Sequence, residues 1–231
     1  MAMPIGEPSL MVLAGALCVA LLVDHVWGEP SARWHPVVWM GQWLGWVGRW
    51  AAPLAGSPLA TARSGPFVRG AAGWCLGALA VGGVAVLLQI ALSRLPAWAA
   101  VPLLGMLLKP LLAWRMLRDE VLAVDAALAT SLDAGRAQLA RLVSRDVATL
   151  SAEEVRESAI ESLAENLNDS VVAPLVWFVL LGLPGAALYR FANTADAMWG
   201  YRGERGGRVW EWAGKWAARI DDGLSWLPGC R

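Results

Sequence analysis

Charge is scarce in this chain, and what there is cancels. Of 231 residues only 16% are charged, with 19 Lys plus Arg against 19 Asp plus Glu, so the formal net charge is zero. Such a balance leaves no basic footprint for a polynucleotide, and no nucleic acid is expected as a partner. Cysteine is scarce too. Cys18, Cys75 and Cys230 make an odd number, and the first two lie inside apolar runs, so there is no disulfide framework and no zinc spacing. No Lys or Arg precedes Arg33. The apolar run beginning at Leu10 therefore lacks the basic leader of a cleavable signal peptide and reads as a retained span. Internal repeats of about 20–50 residues and low-complexity tracts are absent. Gly214-Lys215 is not a phosphate-binding P-loop, because position 209 is Val and position 216 is Trp.

What the chain has in quantity is apolar surface: 57% of residues are hydrophobic and the mean hydropathy is +0.48. One domain cannot bury that much internally. Its 15 tryptophans suit sites where one end of the ring is apolar and the other wet, as at a bilayer interface. The expectation is an all-α, polytopic integral membrane protein forming a single domain over 1–231. A spanning helix needs about 20 mainly apolar residues, and four segments qualify: 8–27, 70–93, 95–114 and 170–189. The first can span if Asp24 sits at its boundary or faces a polar cavity, and Lys109 in the third is able to snorkel. The fourth contains Pro174 and Pro184 and reads as spanning or re-entrant. In 34–50, Trp39, Trp43, Trp46 and Trp50 fall on one helical face, which predicts an interfacial helix. Residues 51–66 read as a loop. Arg33, Arg49, Arg63 and Arg69 favour a cytoplasmic face for 28–70.

The polar stretch 115–169 holds six Arg and eleven acids, a net charge of −5. Leu117, Val121, Val124 and Leu128 recur at helical spacing, Asp133-Ala134-Gly135 interrupts, and Leu139, Leu142 and Val143 resume, so this is an amphipathic helical loop. Ser151 and Glu154 form a capping box that starts a helix at Ala152, running to about Asn168. On that helix Glu157, Glu161, Glu165 and Asp169 recur every four residues. Three like-charge pairs oppose the helix by roughly 1 kcal/mol. The arc reads either as a solvated acidic face or as a holder for a divalent cation or ammonium, and its position against an apolar run favours the second.

Two further clusters carry chemistry. Arg190, Arg202, Arg205, Arg208 and Arg219 suit phosphate oxygens, with Asp196, Asp221 and Asp222 available to a bridging metal; the same arginines suit lipid headgroups. Near the N-terminus Asp24, Glu29 and His35 lie within twelve residues and fit acid/base, metal or anchoring roles.

Four blocks, in order, carry a resemblance: DHVWGEP with HPVVWMG (24–41), SRD (144–146), ESAIESLAENLNDSVVAPLVW (157–177), and GLPGAALYRFANTADAMWGYR with ARIDDGLSWLP (182–228). Together they resemble the CobD/CbiB adenosylcobinamide-phosphate synthases of cobalamin biosynthesis. The resemblance implies an ATP-dependent ligase in the cell membrane, with its site facing the cytoplasm. That ligase joins the amino group of (R)-1-amino-2-propanol, or its phosphate, to a propionate of adenosylcobyric acid. It further implies ATP and Mg²⁺, cobalt only within the corrinoid substrate, and association with other cobalamin-assembly enzymes. On that reading Glu161, Glu165, Asp169, Asp196 and Asp222 are expected in catalysis, with Glu165, Asp169, Asp221 and Asp222 holding metal. Asp24, Glu29, His35, Asn166, Arg190, Asn193, Arg202 and Arg219 are expected to bind substrate.

The chain departs from the family pattern in two places. Members ordinarily continue beyond the W-L-P block into another hydrophobic segment, where this chain has Gly229-Cys230-Arg231, and Ser144 stands where Gly is usual. Two other classes compete: a non-catalytic membrane sensor or accessory protein like the AmpE-type relatives, and a corrinoid transporter, against which the lack of an inverted repeat weighs. A full crossing by 170–189 would put the E-S-L-A-E-N and N-T-A-D-A-M blocks on opposite sides of the membrane. A shared site therefore requires that segment to be re-entrant, or the blocks to meet in a cavity.

Overall fold

A computed structural model describes residues 9–143 and 145–229, so Ser144 of the S-R-D block and Cys230 lie outside the described residues. The described chain is helical apart from a four-residue β-hairpin and connecting turns. Helix α1 (Leu10–Trp27) is capped by Ser9, whose hydroxyl accepts from the Val12 amide. Helix α2 (Pro36–Ala51) starts on Pro36, with the His35 ring accepting from the Val37 amide. Helix α3 (Ser64–Ser93) begins six residues before the expected span, and α4 (Ala97–Leu108) ends in a 3₁₀ turn, Lys109–Leu111. Helices α1 and α3 are long and apolar enough to cross a membrane, as is the stretch Ala152–Trp199; α4 qualifies only together with the helix after it, across a 40° bend. Exposed Leu76, Leu79, Val84 and Leu87 on α3 fit contact with lipid. With these helices the chain is an all-α membrane protein.

Helix packing uses small residues, as bilayer helices do. Gly105 lies against Val19 and the Ala16 carbonyl, where a Cβ would not fit, and this joins α4 to α1. In α2, Met40, Leu44 and Val47 are buried while Trp39, Trp46 and Trp50 are exposed; Trp43 instead turns inward and donates to the Gly73 carbonyl at 3.3 Å.

The polar region folds as a three-helix lobe: α5 (Trp114–Thr130), α6 (Leu132–Leu139) and α7 (Ala152–Leu167). Its own core is Val124, Leu139, Val147, Val155 and Ala159. The interruption expected at 133–135 is one residue group too late. The chain breaks at Ser131, which caps α6, and Gly135 is helical because its bare Cα lets α6 press onto Leu128. The Ser151/Glu154 capping box is present.

Helix α7 runs through a π turn, Asn168–Val172, into α8 (Ala173–Trp199). At Gly182 the backbone leaves the helix, with φ 70° and ψ −155°, a region essentially reserved for glycine. The chain there folds back on itself. Ser170 meets Arg190 twenty residues later, and Gly185 lies against the Trp177 carbonyl, so α8 is a helical hairpin with Gly182 at its tip. The reversal falls at Gly182 and not at Pro174 or Pro184, both of which sit near the start of a helical arm, where their missing N–H costs nothing. The tip is pinned by Gln89 of α3, whose carbonyl accepts from the Leu183 amide at 2.8 Å. From there the return arm runs antiparallel to α3, with Leu188 at Gly82 and Phe191 at Gly77. A hairpin of β1 (Glu204–Arg205) and β2 (Arg208–Val209) follows, then α9 (Lys215–Gly229). Helix α9 ties both arms together: Trp177 donates to the Leu224 carbonyl at 3.1 Å, and the Tyr189 and Ser225 hydroxyls lie 3.1 Å apart.

Candidate active site

The hairpin brings the E-S-L-A-E-N and N-T-A-D-A-M blocks to its open end. At their junction Arg190 donates through Nη1 to the Ser170 hydroxyl at 2.9 Å and to the Asn193 side-chain oxygen at 3.3 Å. Its Nε is enclosed and has no hydrogen-bond partner. Glu29 and Asp169 are both close enough to act electrostatically on this guanidinium. Asp169 and Asp222 act likewise on Asp196, and Asp169 and Asp221 on Tyr189. The second arm of α8, the π turn and α9 thus place Asp169, Asp196, Asp221 and Asp222 around one polar zone.

Beside it lies a buried ion cluster. Asp24, at the last turn of α1, is fully buried, and its Oδ2 accepts from the Arg115 amide at 2.8 Å. Its Oδ1 is 3.2 Å from Lys109 Nζ. Lys109 Nζ is also 3.1 Å from Glu29 Oε2, and that oxygen is 2.9 Å from His35 Nε2. Glu29 Oε2 is therefore held from two sides, while Glu29 Oε1 is enclosed without a hydrogen-bond partner. Gly28 at φ 68° turns the chain out of α1 so that Glu29 points back to the cluster, and Arg115 closes over the turn, donating to the Val26 carbonyl at 2.6 Å. Orphaned buried polar atoms are costly in folding. Two of opposite character, Glu29 Oε1 and Arg190 Nε, mark places where a ligand's donor and acceptor would be satisfied.

Lys109 is the residue that the sequence reading misplaced. It is 3% exposed and does not snorkel. The signal was present: a lone charge within the apolar run 95–114 calls for a buried acidic partner. Ser170, hidden in an apolar context, left no comparable signal.

Other expected residues stand apart from this zone. Glu157, Glu161 and Glu165 are exposed on α7, and Glu161 pairs with Arg145 at 2.7 Å. The four-residue arc does not continue inward to Asp169 in regular register, because the helix widens into a π turn at 168, a device that re-aims side chains. Asn166 is occupied locally, its amide donating to the Ser162 carbonyl at 2.8 Å. It lines a separate cavity of about 250 Å³ with Ser162 and Arg141. Arg202 and Arg219 are exposed and take part in none of the ion pairs among the described residues. Among the described residues no three His, Cys, Asp or Glu side chains converge as a metal-ligand set. Glu165, Asp169, Asp221 and Asp222 accordingly do not form a closed protein cage.

A helical hairpin closing over a buried, ionically mixed cluster, in a bundle whose helices are long and apolar enough to cross a membrane, defines an all-α integral membrane protein. The chain belongs to the CobD/CbiB family, whose model, described as CobD/Cbib protein, matches residues 17–231. It is 41% identical over 217 residues to the probable cobalamin biosynthesis protein CobD of Pyrococcus abyssi, covering 92% of this chain and 67% of that one. It is 41% identical over 222 residues to the cobalamin biosynthesis protein CobD of Chromobacterium violaceum, covering 92% and 64%. The corresponding protein of Methanothermobacter thermautotrophicus is 36% identical over 214 residues, covering 92% and 65%. The chain thus spans about two thirds of the length of these curated relatives. No solved structure matches it.

Proposed function

We propose that this protein acts in cobalamin biosynthesis as the ligase that converts adenosylcobyric acid to adenosylcobinamide or its phosphate. The amine nitrogen of (R)-1-amino-2-propanol, or of its phosphate, bonds to a corrin propionate carbon. The propionate oxygen leaves on a phosphoryl-containing group donated by ATP, and the amine protons pass to nearby carboxylate or water. The observation that carries this reading is the pair of orphaned buried atoms. Arg190 Nε suits a phosphate oxygen and Glu29 Oε1 suits an ammonium, which are the two ends of an aminoalkyl phosphate.

Lys109 and His35 keep Glu29 fixed, and Asn193 and Ser170 fix Arg190. Mg²⁺ is ordinarily held by one or two carboxylates together with substrate phosphates. Asp169, Asp196 and Asp222, near one another without forming a cage, fit that mode. Bound there with ATP, the ion would neutralise phosphate charge. Solvent-exposed Glu161, Glu165, Arg202 and Arg219 remain candidates for contacts with the large corrin or with ATP. The site is proposed to open to the cytoplasm, where ATP is supplied, and other cobalamin-assembly enzymes are proposed as neighbours.

Complementation tests this. A strain lacking the amide-forming step should grow on cobyric acid when this gene is supplied, and Glu29→Gln or Arg190→Met should remove the rescue while added cobinamide restores growth. Failure of the unaltered gene, with the protein present in membranes and able to bind cobyric acid, would favour the accessory-protein reading.

A further inference from the structure

No acid occurs between Glu29 and Asp119. Three cations of that stretch, Arg49, Arg63 and Arg69, are gathered at one end of the bundle with Arg208 and Lys215, which follow α8. Arg208 donates through Nη1 to the carbonyls of Arg49 at 2.8 Å and Ala52 at 2.6 Å, which fastens the β-hairpin to the end of α2. Arg69 donates to the Trp50 carbonyl at 3.1 Å and lies over its ring. Arg63 and Lys215 both sit on Trp212, 5.5 and 3.9 Å from its ring centre. Glu204 and Glu211 are the acids of the adjoining 200–220 segment, against Arg202, Arg205, Arg208, Lys215 and Arg219. None of the ion pairs among the described residues involves Arg49, Arg63, Arg69, Arg205, Arg208 or Lys215.

Two cations against one indole, neither in an ion pair among the described residues, repel each other, and an anion between them removes that cost. We propose that this end of the molecule binds the phosphate of anionic phospholipids, with Arg63 and Lys215 gripping one headgroup over Trp212 and the neighbouring arginines contacting others. A lipid, and not a free phosphate, is indicated by the setting. Trp46 and Trp50 are exposed beside the cations, and the patch lies where α3 enters its apolar stretch, with Val68 also exposed. The patch would hold this end at the lipid–water boundary and fix the depth of the bundle. This inference is independent of the amide-forming reading.

The test uses the full chain in nanodiscs of phosphatidylcholine, with or without phosphatidylglycerol, read by the thermal unfolding midpoint. Phosphatidylglycerol should raise the midpoint by about 4–8 °C at low salt, and about 1 M salt should remove most of the rise. The double variant R63Q/K215Q should lose at least half of it while matching the unaltered protein in phosphatidylcholine alone. If that variant does not fold, brominated lipids decide on the unaltered protein: brominated phosphatidylglycerol should quench tryptophan fluorescence more strongly than brominated phosphatidylcholine. Equal midpoints in the two lipids, an undiminished rise in the variant, equal quenching, or a rise reproduced by inorganic phosphate in phosphatidylcholine discs would each overturn the proposal.

Discussion

Replacing Lys109 by Met would strip the central cation from the buried cluster. Asp24 is fully buried and would keep only the Arg115 amide as a donor, and Glu29 would keep only His35. Breaking a buried ion pair by removing one partner costs about 3–5 kcal/mol, because the remaining charge stays desolvated. For a chain of this size that corresponds to a fall in unfolding midpoint of about 6–20 °C. Neutralising both members is cheaper than the single change suggests. Asn at 24 can still accept from the Arg115 amide, so Asp24→Asn combined with Lys109→Met should recover about 1–3 kcal/mol relative to the sum of the single variants. Tryptophan fluorescence during heating in detergent, with the four proteins of the double-mutant cycle side by side, measures this. A midpoint for Lys109→Met within about 2 °C of the unaltered protein, or strictly additive single changes, would mean that Lys109 reaches water and that the cluster is not a unit.

The hairpin makes its own predictions. Gly182→Ala places a side chain in a glycine-only backbone region and against Gln89, and should cost at least about 1–3 kcal/mol by the same assay. Cysteines introduced at Ser162 and Thr194 should label from the same side of the membrane; strictly opposite sidedness would exclude a site shared by the two blocks. In the helical lobe, Ser131→Ala should lower stability by about 1 kcal/mol through loss of the α6 cap, measured by denaturant unfolding. Glu29→Gln should lower amide formation about 10²–10⁴-fold while moving the midpoint less than Lys109→Met does; equal loss of stability in the two variants would assign Glu29 a structural role only.

Much of the architecture was legible because it follows from one-dimensional signals. Apolar length marked α1 and α3, the Ser151/Glu154 pair marked the start of α7, and proline at 174 and 184 marked 170–189 as irregular. What the prolines did not locate was the turning point, since proline tolerates the first turn of a helix and only Gly182 can take the positive φ. The site was half legible. Asp24, Glu29 and His35 meet because they flank the ends of α1 and α2, and Arg190 and Asn193 come near them because α8 folds back at Gly182. Glu161, Glu165, Arg202 and Arg219 are exposed and stand apart from that cluster, and periodicity cannot distinguish a solvated arc from one facing a site. For Lys109 a lone charge in an apolar run signals either snorkelling or a buried acidic partner, and the packing of α4 against α1 decides for burial beside Asp24 and Glu29.

The central claim is that the Glu29–Arg190 zone forms an amide on a corrinoid. The direct measurement is turnover by the purified full chain in nanodiscs, supplied with adenosylcobyric acid, aminopropanol or its phosphate, ATP and Mg²⁺. The account predicts a corrinoid amide product whose formation consumes ATP and is abolished by Arg190→Met. Tight corrinoid binding with no amide product and no ATP consumption, in protein of unaltered stability, would contradict it.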